Sequence, residues 1–127
     1  MSQKEDRLIY LVFTAQQRLR LHLRDELMNA GVKITLVQAG ILFLLREKTG
    51  RAMSELAQLL SLDNSTVTGL IDRLETLGSV RRKVNPKDRR MSLIHITGQG
   101  LREVNKAGEV IRRVNAEIKA GFTKMEI

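Results

Sequence analysis

Cysteine is missing from all 127 residues. Disulfides, thiol redox sensing and cysteine-ligated metal sites are therefore excluded. Tryptophan is missing too, and aromatic residues make up only 3% of the chain, so any core must be aliphatic. Histidine occurs twice, as His22 and His95, and two histidines so far apart in sequence leave no basis for a metal site. Long hydrophobic runs are lacking as well. The longest, Ile34 to Leu45, is interrupted by Thr35, Gln38 and Gly40 and is too short to cross a bilayer. The opening Lys4-Glu5-Asp6-Arg7 does not have the form of a secretion signal, so a soluble, cytoplasmic protein is expected. There is no glycine-rich phosphate loop, nucleophile motif or paired-carboxylate spacing, which points away from an enzyme and implies no cofactor.

What is present is a basic, aliphatic chain of single-domain size. Hydrophobic residues are 43% of the total, enough to supply a core, and the formal net charge is +8. With a pI near 10.4, the charge favours an acidic partner, either nucleic acid or a membrane surface. The organising stretch runs from Ser54 to Thr97. Ser54 to Leu60 reads as a short helix and Ser61-Leu62-Asp63-Asn64 as a tight polar link. Asp63 or Asn64 then caps a second helix, because its side-chain oxygen can accept from a free first-turn amide. Val67, Leu70, Ile71, Leu74 and Leu77 recur at helical spacing and predict a core face. Ser65, Thr66, Thr68, Gly69, Asp72, Arg73 and Thr76 are left outward, the hydroxyls among them short enough to meet base edges or phosphates. Gly78 is the expected stop.

Two β-like runs follow, Val80 to Val84 and Met91 to Ile96, joined by Asn85 to Arg90. Between Arg81 and Arg90 six basic residues stand against one acid, Asp88, a net +5 of the chain's +8. Asp63 to Gly78 instead has one arginine against three acids. Sequence-independent attraction to phosphate must therefore come mainly from the hairpin and from scattered basic residues elsewhere. Helix, tight turn, second helix and charged hairpin is the layout of a winged helix-turn-helix, a device that places one helix in a DNA major groove. The fold class expected is mainly α with a small β-wing.

The motifs Ser54-Glu55-Leu56-Ala57, Ser65-Thr66-Val67-Thr68, Asp72-Arg73-Leu74-Glu75, Gly78, Arg82, Pro86-Lys87-Asp88-Arg89-Arg90 and Ile96-Thr97-Gly98-Gln99-Gly100 resemble those of the MarR (multiple-antibiotic-resistance regulator) family. The Asp-x-Arg of the wing, followed by strand, Thr and Gly, is the specific part. The likeness extends more loosely over Thr35 to Leu45 and along the flanking helices. It implies that Arg90 enters a minor groove from the wing tip, where a narrow groove attracts arginine. It implies that Asp88, or else Asp63, holds that guanidinium by a charge-assisted bond. Arg73 and Arg82 match positions that contact phosphate or brace the wing, and Ser54, Lys87 and Arg89 belong to the same DNA-facing set. Two positions depart from the pattern. Ala52 stands where a Ser or Thr cap is usual, so the first helix of the motif either starts at Ser54 or is more loosely closed. Gly69 stands where many relatives carry a larger or basic side chain, which removes a possible base contact.

Residues 35–97 thus read as a DNA-binding lobe, with N- and C-terminal dimerisation helices over 5–30 and 98–122, in a single domain spanning 1–127. Leu8, Val12, Ala15, Leu19, Leu23 and Leu27 recur along the first helix, while Ile9, Leu11, Phe13 and Leu21 add apolar surface on other faces. Such a helix suits packing on its own domain and on a second subunit. Thr35 and Gln38 form a capping box that opens a helix to about Lys48, and Gly50 to Ala52 can add a short third strand. Thr97 caps a long helix with a seam of Leu101, Val104, Gly108, Ile111, Asn115, Ile118 and Phe122. Gly121 is expected to break it and Thr123-Lys124-Met125-Glu126 to open another helix, so the chain reads as truncated there. The resemblance implies a homodimeric regulator of double-stranded DNA, a repressor on a pseudo-palindromic operator, released by a small-molecule effector. The effector is unknown, with His22 and Arg46 as candidate polar anchors. Two alternatives are a winged-helix module for protein–protein contacts, which would lack the basic wing, and an amphipathic membrane-surface protein, against which the core-forming helices argue.

Overall fold

Apolar spacing and capping residues decide most of the architecture. A computed structural model describes the backbone of residues 3–126 and the side chains of residues 7–121. It contains helices α1 (Gln3–Asn29), α2 (Leu36–Glu47), α3 (Met53–Leu60), α4 (Asn64–Thr76) and α5 (Gly98–Glu126). Strands β1 (Arg51–Ala52), β2 (Val80–Asn85) and β3 (Asp88–Ile96) form one antiparallel sheet in the order β1-β3-β2. This is the expected mainly α fold with a small β-wing. The core is aliphatic, as the composition requires: Ile41, Leu42 and Leu45 of α2 meet Leu56, Val67, Ile71, Leu74, Val80, Ile94, Val104 and Val114, all fully buried.

The capping box forms as the sequence indicates. The Gln38 amide donates to Thr35 Oγ1 at 3.2 Å and the Thr35 amide to Gln38 Oε1 at 2.9 Å. Helix α3 begins at Met53, one residue before Ser54, with Ala52 at the cap and no side-chain bond there. That end is held instead by Arg51, which donates to the Leu44 carbonyl at 3.1 Å and pairs with Glu55.

The flanking helices differ from expectation in three respects. Of the predicted α1 stripe only Leu23 and Leu27 are buried. Leu8, Val12 and Leu19 are exposed, and so are Ile9 at 75% and Tyr10 at 74%. Periodicity marks a face that needs covering but does not say by what. Helix α5 meets the C-terminal half of α1, where Arg113 pairs with Glu26 at 2.7 Å and His22 lies 3.7 Å from Glu117. Second, the inner stripe of α5 is Val104, Ala107, Val110 and Val114, whereas Leu101 and Ile118 of the predicted seam are exposed and Asn115 faces solvent. Gly108 does belong to the inner face, close against the Phe43 ring; Phe122 lies outside the described side chains. Third, Gly121 does not end α5, which continues to Glu126. A lone exposed glycine costs a helix about 1 kcal/mol, too little to terminate one this long. The residues of the expected capping box after it fall within the same helical backbone.

One junction joins the lobe to the frame. The Thr97 hydroxyl donates to the Gly78 carbonyl at 2.6 Å and accepts from the Gly100 amide at 3.1 Å. Gln99 Nε2 donates to the Leu77 carbonyl at 2.9 Å. Gly78 adopts φ +78, the left-handed value that ends α4. Thus the last turn of α4 and the first turn of α5 share bonds.

Candidate nucleic-acid interface

Helices α3 and α4 are linked through Ser61, which takes up a left-handed conformation (φ 56) and donates its amide back to α3. Asp63 caps α4: its carboxylate accepts from the Thr66 amide at 2.6 Å and from the Ser65 hydroxyl at 2.8 Å. A bond from the Thr66 hydroxyl, with those from the Thr66 amide and the Ser65 hydroxyl, holds the Asp63 carboxyl below the ordinary aspartate range. A depressed folded-state pKa contributes stability that is fully present above the unfolded value and is lost as pH falls through the lowered one. Thermal stability should therefore decline on acidification from about pH 5 to about pH 3, and Asp63→Asn, which keeps a capping oxygen without a titrating group, should reduce that decline.

Helix α4 turns Val67, Ile71 and Leu74 inward, with Leu70 half-buried and Leu77 more exposed than expected. The outward face carries Ser65, Thr66, Thr68, Gly69, Asp72, Arg73 and Thr76, as its spacing predicts. Their hydroxyls are not equivalent. Ser65 is engaged by Asp63, while Thr68 and Thr76 donate to the carbonyls of Asn64 at 2.8 Å and Asp72 at 3.0 Å. The Thr66 hydroxyl shares the Asp63 carboxylate with Ser65 at the exposed start of the helix. At Gly69 nothing beyond its chain neighbours and its own helix backbone lies within 4 Å of where a Cβ would stand. Gly69→Ala should therefore stabilise the fold by about 0.5–1 kcal/mol, read as a higher urea midpoint with an unchanged slope.

The wing departs from the expected six-residue connection. Asn85 pairs with Asp88, so only Pro86 and Lys87 form the turn, and the Asn85 side chain accepts from the Lys87 amide at 3.0 Å. Proline at the first turn position and asparagine before it favour such a tight reversal. The register then shifts between Val84 and Asn85, because Val84 pairs with Ser92. Arg89, Arg90 and Met91 consequently face no residue of β2, an irregularity of the kind that re-aims side chains.

The two acids proposed to hold Arg90 do something else. Asp88 accepts from the Arg90 backbone amide at 3.1 Å, and Asp63 is occupied as the α4 cap. Neither touches the Arg90 guanidinium; a carboxylate two residues upstream bonds most easily to the backbone. Among the described residues Lys87, Arg89 and Arg90 form no ion pair and are exposed. Arg82 behaves differently. It pairs with Asp72, and its Nε lies 3.4 Å from Glu75 without hydrogen-bond geometry. It therefore braces β2 against α4 and is not free for phosphate. The two acids make α4 a partner for the wing, a role the charge count alone did not reveal; their i, i+3 spacing opposite an arginine between Val80 and Val84 was the available signal. Arg73 is exposed on the last turns of α4, and Ser54 is exposed at the start of α3.

The candidate effector anchors do not converge. Arg46 donates to Asn105 at 2.8 Å and lies 5.0 Å from the Phe43 ring centre, whereas His22 faces Glu117. Asn105 and Glu117 are about 18 Å apart along α5 at 1.5 Å per residue, too far for one small ligand to bridge.

A bihelical unit with a capped, outward-facing second helix and a braced basic hairpin defines a winged helix-turn-helix protein. The model of the MarR family matches residues 34–92 of this chain. The chain is 37% identical over 68 residues to the HTH-type transcriptional regulator TtmR of Methylorubrum extorquens, a match covering 54% of this chain and 35% of that protein. Matched segments span 35%, 46% and 52% of the length of three curated relatives. Among solved structures, the regulator BldR of Sulfolobus solfataricus has a TM-score of 0.74 at 25% identity, covering 98% of this chain and 97% of BldR. The Mycobacterium tuberculosis regulator MosR, solved with DNA, has a TM-score of 0.76 at 27% identity, covering 88% and 80%.

Proposed function

We propose that this protein is a sequence-specific regulator of double-stranded DNA that works as a homodimer, represses from a pseudo-palindromic operator and is released by a small molecule. The reading rests on one juxtaposition. The outward face of α4 is tied through the Arg82–Asp72 pair to a wing whose tip carries three cations, Lys87, Arg89 and Arg90, with no ion pair among the described residues. Arg82 locks the two together, so they would meet DNA as a unit, α4 in the major groove and Arg90 in the flanking minor groove. The DNA in the MosR structure supports the partner.

The homodimer is supported by the uncovered apolar length of α1, Leu8 to Phe13 above all, an exposed patch of a kind that marks protein contact. Two-fold symmetry would then set half-sites about 34–36 Å apart. A ligand that binds two spacings of the paired α4 helices unequally would shift DNA affinity; equal binding would shift nothing.

A salt titration of binding to duplex DNA tests the reading. The logarithm of affinity should fall with the logarithm of salt at a slope of about −0.9 for each phosphate neutralised, steeper than about −4 for a dimer with two wings. A slope near zero would exclude phosphate-driven binding. Thr66→Ala should change which duplexes are preferred without changing that slope.

A further inference from the structure

The wing carries a second group of cations on the face turned away from α4. Side chains alternate along a strand, so Val80 and Arg82 point toward the core and α4, while Arg81 and Lys83 point to the opposite side. Arg81 stands directly across from His95 of β3. Together with Thr49 and Gly98 these residues line a hollow of about 340 Å³, within the range that holds small ligands. The hollow lies at the base of the wing, where the sheet meets the first turn of α5.

Its chemistry is one-sided. No carboxylate of the described residues lines it. Among the described residues, Arg51, Arg82 and Arg113 each have a carboxylate partner, but Arg81 and Lys83 have none. Thr49 Oγ1 accepts from the Ile96 amide at 3.0 Å, which leaves its own O–H to donate. The His95 ring packs on Gly50, where an added Cβ would come within 3.1 Å of the ring, so its edge is fixed at the rim. Two cations, an imidazole and a hydroxyl around one hollow form a donor set without acceptors of matching charge, the pattern that suits an oxyanion. The start of α5 adds a small positive potential of its own.

We propose that this hollow is a binding site for a phosphate-type oxyanion, supplied either by a free small molecule or by a DNA backbone phosphate. Arg81 and Lys83 neutralise the charge, while Thr49 and His95 orient it. A bound anion would tie the wing base to the start of α5.

The full chain titrated with inorganic phosphate, against chloride at matched ionic strength, tests the site by NMR. Saturating shifts are expected at the Gly98 amide and the His95 ring. In the double variant Arg81→Gln and Lys83→Gln, whose residues are exposed and whose melting curve should match the parent, affinity for phosphate should drop at least about tenfold. Shifts that grow without saturation, or that saturate equally in the double variant, would overturn the site. The salt slope on duplex DNA separates the two sources. A slope shallower by about two in the double variant assigns the site to backbone phosphate, and an unchanged slope with lost phosphate binding assigns it to a free anion. The phosphate measurement contains no DNA, so its failure would leave the proposed function untouched.

Discussion

Arg90→Ala is expected to weaken binding to a selected duplex by about 1–3 kcal/mol, with the sedimentation coefficient and melting temperature unchanged. The side chain makes no ion pair among the described residues and sits where β3 has lost its register with β2. Removing it therefore disturbs no folded-state contact that is visible. Asp88 fixes the Arg90 backbone through its amide, so the guanidinium is aimed by the main chain and remains uncompensated. That arrangement suits a narrow minor groove, whose negative potential rewards an arginine that has no other partner. Arg90→Lys should recover only part of the loss, because a compact ammonium is more strongly hydrated than a guanidinium. Fluorescence anisotropy on the selected duplex decides the matter, and unchanged affinity in Arg90→Ala would remove the wing tip from the interface.

Gly100→Ala should be the most damaging small substitution in the fold. A Cβ there would stand 2.2 Å from the Ser79 carbonyl oxygen and 2.9 Å from an Ile96 side-chain carbon. The first of these is backbone at the exit of α4, which no rotamer change can relieve. Overpacking of this kind costs typically about 1–3 kcal/mol, occasionally more. The same movement would stretch the bonds from Thr97 to Gly78 and from Gln99 to Leu77. Urea denaturation should show a lower midpoint, and any folded fraction should bind DNA less tightly because α5 and α4 no longer share their junction. A midpoint equal to the parent's would mean that the contact relaxes without cost.

Much of the fold was legible because its signals are local. The Thr35–Gln38 capping box, the Asp63 cap, the Gly78 stop and the inward stripe of α4 all depend on neighbours within a turn or two. The flanking helices were less legible. The apolar faces of α1 predicted burial, yet Leu8, Ile9, Val12 and Leu19 are exposed, since a hydrophobic period is the same for a core and for an interface. Of the α5 seam, Val104, Gly108 and Ile111 pack on the core while Leu101 and Ile118 are exposed, because a coiled-coil spacing does not say which of its members the parent domain covers. In the wing, Asp-x-Arg announced a pair of residues but not which atoms meet, and the bond runs to the amide. The register shift that frees Arg89 and Arg90 depends on the cross-strand pairing of Val84 with Ser92 and was not readable from either strand alone. The bond of Arg82 to Asp72 joins two elements whose closeness only the folded chain establishes.

The absence of cysteine allows a direct measurement of where the helix and the wing lie on DNA. Single variants Asn64→Cys, beside the proposed α4 contacts, and Lys87→Cys, at the wing tip itself, can each carry a tethered iron chelate that cuts nearby DNA. On a duplex selected from random sequence, the Asn64 label should cut within a half-site and the Lys87 label in the minor groove flanking it, each in two symmetric copies about one helical turn apart. Cleavage from both labels at the same positions, or unfocused cleavage along the whole duplex, would contradict a paired grip by α4 and the wing.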